Sequence, residues 1–184
     1  MDKQLNDLLY GMPPGIDYSE DLCDLDDQDI PTDRIPKLLA LLEGDDEKVA
    51  FRAAWVLSRW GEEQGFEYMR AFVMREPPMD GGWYEHRLRG YDDTYRFALD
   101  AFLGYWARLS DRDKINGEIV RKEIFEPTTH VIELSNAMEF TIEPVFSMVQ
   151  SFGMTEYLPA LKAHLQVIIR EPKKHHWKVA DCAH

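Results

Sequence analysis

The chain is predicted to be all-α, a single domain over residues 1–184 built from three to four stacked helix hairpins. Two observations carry this. Residues 35–61 (IPKLLALLEGDDEKVAFRAAWVLSRWG) read as two helices back to back. The second is apolar on two adjoining faces and so needs partners on two sides. The layout of residues 32–42 (TDRIPKLLALL) then recurs at 155–165 (TEYLPALKAHL), an offset of 123 residues. That offset divides into three steps of about 41 residues, the range in which stacked helix pairs repeat. With 45% hydrophobic and 30% charged residues, the composition is that of a folded chain.

Residues 1–31 form an irregular acidic segment. Leu5, Leu8 and Leu9 suggest a short helix ended by the GMPPG run at 11–15. The stretch that follows is dense in carboxylates, among them Asp21, Asp24, Asp26, Asp27 and Asp29. A calcium loop beginning at Asp24 fails on two counts: Asp29 stands where the sharp turn requires Gly, and Ile35 where a bidentate Glu is required. What remains is an acidic loop, either ordered against the helices or meeting a cationic partner.

The first helix has Thr32 or Asp33 as its cap, Pro36 in its first turn, and Ile35, Leu38, Leu39 and Leu42 on one stripe. Gly44, Asp45 and Asp46 separate it from the second, which Gly61 ends. A third helix runs from Glu62 to Arg75 and stops before Pro77 and Pro78. Residues 76–93 then make a long inserted loop, where about 2–8 residues would connect packed helices. It carries Trp83, Tyr84, Arg87 and Tyr91, residue types that dominate binding hot spots. The alternative for Trp83 and Tyr84 is that they fold back over the helices as a cover. Asp93 caps a strong helix, TYRFALDAFLGYWARL, and Asp111 or Asp113 starts another that Pro127 closes. Thr129–Met138 and Thr141–Phe152 read as a broken helical pair ended by Gly153. Lys178–Ala180 matches Lys48–Ala50 and opens a fourth hairpin.

Ile35, Pro36, Leu38, Leu39, Leu42, Gly44, Asp45, Asp46, Val49, Arg52, Ala53, Ala54, Leu57 and Gly61 together resemble a HEAT repeat. The match covers about thirty residues. The resemblance implies a curved α-solenoid, a fold that commonly binds other proteins. Small acidic HEAT-like proteins include bacterial immunity proteins, which cover the active site of a toxin. The resemblance therefore implies a stoichiometric protein binder that neutralises a cognate toxin; the acidic charge points to a basic surface on that toxin, and without a catalytic motif no enzyme is expected. The alternatives are a scaffold, adaptor or assembly factor, or a HEAT-like glycosylase or lyase.

Charge narrows the partner. The net charge is −13, and residues 1–48 hold 14 Asp/Glu against 4 Lys/Arg. Such a front end repels phosphate backbones, which argues against nucleic acid, and speeds association with a basic protein. Asp21, Asp24, Asp26, Asp27 and Asp29 are the expected steering charges, with Trp83, Tyr84, Arg87 and Tyr91 as anchors. No apolar run reaches the length of a membrane span, and Cys23 and Cys182 are too isolated for a disulfide framework, so a cytoplasmic protein is expected. No cofactor or metal is expected. His130 and Glu133 sit three apart without a second such pair, and His175, His176, Asp181, Cys182 and His184 lie in a basic tail. No phosphate loop, nucleophile elbow or zinc-protease motif is present.

Overall fold

Local capping sets most helix starts. Asp2 accepts from the Leu5 N–H at 2.8 Å and opens α1, Lys3–Tyr10. The computed structural model describes residues 2–16, 21–77, 83–84, 91–173 and 175. Among these are nine α-helices, three short 3-10 turns and no strand. Helix α2 spans Ile35–Leu42 and α3 Glu47–Arg59, the latter capped by Asp46 on the N–H groups of Lys48 and Val49. Helix α4 is Glu63–Met74, α5 Thr94–Arg112 and α6 Lys114–Glu123, with Asp113 accepting from the Ile115 N–H. Then follow α7 at Phe125–Leu134, α8 at Glu143–Gln150 and α9 at Leu158–Ile168.

Helix α3 ends in a full C-terminal motif. The Glu62 N–H donates to Leu57 O, and the Gly61 N–H to Ser58 O. Gly61 sits at φ +85°, which a side chain would strain. The two copies of the internal repeat also match in backbone. Thr32–Arg34 and Thr155–Tyr157 are both 3-10 turns that run directly into helices with Pro in the first turn.

Two series of neighbours result. Helices α3, α5 and α8 pack in succession, and so do α2, α4, α7 and α9. Helix α6 lies outside both, against α5 and α7. One hydrophobic cluster spans α3 to α9, around Phe51, Phe66, Phe72, Phe102 and Tyr157. A second joins α2 and α3 to the front of the chain, where Leu9, Leu22, Cys23 and Leu25 are buried against Leu38, Val56 and Trp60. Among the described residues, no helix is long and apolar enough to cross a membrane.

Several boundaries differ from the sequence reading. Neither Thr32 nor Asp33 caps α2; the 3-10 turn supplies its first carbonyls, and Asp33 pairs instead with Lys37 at 3.0 Å. Asp93 does not cap α5 with its side chain; Asp92 does, accepting from the Thr94 N–H at 2.7 Å. Pro127 does not close α6 but sits in the first turn of α7, where its missing N–H has no helical partner to lose. Helix α4 starts at Glu63, far short of a 41-residue step from Ile35, so the regular period fails in the middle of the chain. The fourth-hairpin residues Lys178–Ala180 lie outside the described residues.

Candidate partner-binding cleft

The acidic segment is bound down by arginines from distant helices. Arg112 holds Asp27 through two bonds, at 2.9 and 2.8 Å, and Arg108 reaches the same carboxylate at 3.0 Å. These partners are 81 and 85 residues apart in sequence. The Arg112 bonds hold the Asp27 carboxyl below its usual range. Arg59 bridges Asp24 and Asp100, and Arg52 lies 3.5 Å from Asp21. Burial pushes the Asp21 carboxyl up, but the Cys23 N–H and the Arg52 charge outweigh it, so it too stays low. The Trp60 indole donates to Leu22 O at 2.8 Å, tying the same segment to α3. Of the five expected steering carboxylates, Asp21, Asp24 and Asp27 thus serve as internal counter-ions. Asp26 is exposed and Asp29 partly so.

The expected anchors lie further along the same face. Trp83 packs edge-on to Phe51 at 5.9 Å and against Phe72 at 5.2 Å. Tyr84 lies 4.7 Å from Phe97 and 5.7 Å from Phe51, and burial pushes its hydroxyl pKa up. Both backbone N–H groups donate to Asp92. Tyr91 is 6% exposed and belongs to the core. Trp83 and Tyr84 thus pack on aromatic side chains of α3, α4 and α5. Arg87 lies outside the described residues.

Between these groups runs a chain of contacts. The Trp55 indole donates to Asp100 at 2.8 Å, Asp100 pairs with Arg59, and Arg59 pairs with Asp24. The Arg59 side chain crosses α5 at Gly104, where an added Cβ would come within 2.2 Å of it. Below this crossing a cleft of about 360 Å³ opens. Its floor is Leu103, Gly104 and Ala107 of α5. Cys23, Asp24, Leu25 and Asp26 form one wall, and Phe152 the other. Phe152 is 44% exposed and stands edge-on to Trp106 at 5.0 Å. Asp111 also lines it, as do Arg59 and Arg108. Asp26 and Asp111 make no ion pair among the described residues, whereas Arg59 and Arg108 are both engaged. Among the described residues, the cleft therefore offers two carboxylates without an ion pair beside apolar and aromatic side chains, with the engaged Arg59 and Arg108 also in its lining.

Sequence reasoning found Asp24 and Asp26 but missed Leu103, Ala107, Asp111 and Phe152. A signal existed: Phe97, Asp100, Gly104, Ala107 and Asp111 follow a 3-4-3-4 spacing, a separate stripe on α5.

Other candidate chemistry resolves differently. His130 of α7 approaches Glu76, just past the end of the adjoining α4, at 3.0 Å, an ion pair when the ring is protonated. Ser135, His164 and Asn136 come together in the core, but both contacts fall on one ring nitrogen, at 3.2 and 2.8 Å. The Ser135 hydroxyl donates to Ile132 O at 2.7 Å, so the trio does not align a nucleophile with a base. Cys23 is buried, and burial raises its thiol pKa. No group of three or more potential metal ligands forms among the described residues. His176, Asp181, Cys182 and His184 lie outside them. Compared with protein-family models, curated proteins and solved structures, the chain has no match.

Proposed function

We propose that this chain is a protein-binding module of HEAT-like solenoid type, and that it acts in the cytoplasm as an immunity protein for a toxin with a basic surface. The observation that carries the reading is the cleft, where Asp26 and Asp111 flank Leu103, Ala107 and Phe152. Two carboxylates without an ion pair among the described residues, next to apolar side chains, suit a lysine or arginine side chain, whose stem packs while its head pairs. The exposed Phe152 supplies an aromatic anchor of the kind that dominates interfaces. The two series of successive helices support the solenoid part of the reading, and the −13 net charge supports a basic partner.

The test is affinity capture from the source cell, with products of neighbouring genes included, at low and high salt. A single stoichiometric basic protein, released by salt and toxic unless bound, is the expected result. Several weak partners without toxicity would replace this reading with the scaffold or adaptor.

A further inference from the structure

Helix α6 turns an apolar edge outward. Ile115 is 72% exposed and Ile119 50%, one turn apart on a stripe that continues to Lys122. Just past the bend into α7, Phe125 is 41% exposed. It stands with Glu118, Arg121, Lys122 and Glu156 around a shallow groove of about 410 Å³. Glu156 holds Arg121 at 2.6 Å, which fixes one edge of that groove. The helix thus has a projecting side chain at its start and a receiving groove at its end, with Glu118 and Lys122 between them.

This surface complements itself when reversed. Positions 115 and 125 share a midpoint with 118 and 122, at the level of Val120. Two such helices laid antiparallel about a two-fold axis there put Ile115 of each copy on the Phe125 groove of the other. The same axis sets Glu118 of each copy opposite Lys122 of the other, an isologous contact. Charge also favours this face. Two copies of a chain at −13 repel each other, but residues 114–123 hold three cations and two anions, so this stretch does not add to that repulsion. We infer that α6 is a homodimer interface, with a second copy of this chain as its occupant.

Sedimentation velocity of the full chain over a range of concentrations tests this. The wild type is expected to show a concentration-dependent monomer–dimer equilibrium. Ile115→Lys and Glu118→Lys should each weaken self-association about tenfold or more. The exchange Glu118→Lys with Lys122→Glu should restore it, because the pair is re-formed with the signs reversed. These side chains are exposed, and circular dichroism checks that each variant keeps its helix content. A wild type that stays monomeric throughout overturns the assignment. So do single variants that leave the dimer intact, or an exchange that fails to restore it. Protection of α6 only by a different captured protein also overturns it, and gives the face to that protein.

Discussion

Arg52 brings a positive charge into the interior at 3% exposure, and the surrounding chain is arranged to receive it. Its guanidinium lies 4.2 Å from the Trp55 ring centre and 4.5 Å from that of Tyr10. Its Nε donates to Leu9 O, and Asp21 approaches at 3.5 Å. A planar cation stacks between two rings in a way that an ammonium does not. Arg52→Lys is therefore expected to cost roughly 1–2 kcal/mol, although the charge is kept. Urea unfolding followed by tryptophan fluorescence would measure it. In the sequence, Arg52 stood out only as part of the repeat pattern. Its ring partner Tyr10 is 42 residues earlier, and no local spacing links the two.

Helix α3 organises its neighbours, and its end depends on one residue. Gly61 at φ +85° lets the chain reverse, and an added Cβ would also meet Arg112 Nη1 at 2.6 Å. Gly61→Ala is expected to destabilise by about 1 kcal/mol or more, read as a lower urea midpoint with unchanged slope. Elements of this kind were readable from sequence because their causes are local. The Pro-containing starts of α2 and α9, the break at Gly44, Asp45 and Asp46, and the Gly61 stop all lie within a few residues of what they control. The α6–α7 boundary was misread because Pro127 has the same local meaning as a stop and as a first-turn residue. The α5 stripe was legible, but the cleft as a whole was not, for the opposite reason: its lining comes from residues 23–26, 59, 103–111 and 152, and only folding brings them together.

At the level of the whole molecule, acid pH should expose how the segments are tied. Hydrogen bonds from Arg112 depress the Asp27 carboxyl, and those from Arg121 depress Glu156. A depressed carboxylate contributes stability that is present above its unfolded pKa and is lost as pH falls through the folded one. Stability should hold to about pH 5 and decline below roughly pH 4. Asp27→Asn and Glu156→Gln should each flatten that fall when unfolding is followed against pH. Both carboxylates are partly exposed, so each effect is modest.

The same internal pairing defines what is left over for a partner. Asp21, Asp24 and Asp27 are engaged by arginines, while Asp26 and Asp111 remain at the cleft. The most direct measurement is the affinity of the captured partner for the Asp26→Lys/Asp111→Lys variant, beside a control reversal at exposed Glu43, which follows α2 and does not line the cleft. The cleft account expects affinity to fall about tenfold or more, with a weaker salt dependence, while Glu43→Lys changes little. Equal affinities for wild type and the cleft variant would contradict it, and would place the binding face elsewhere.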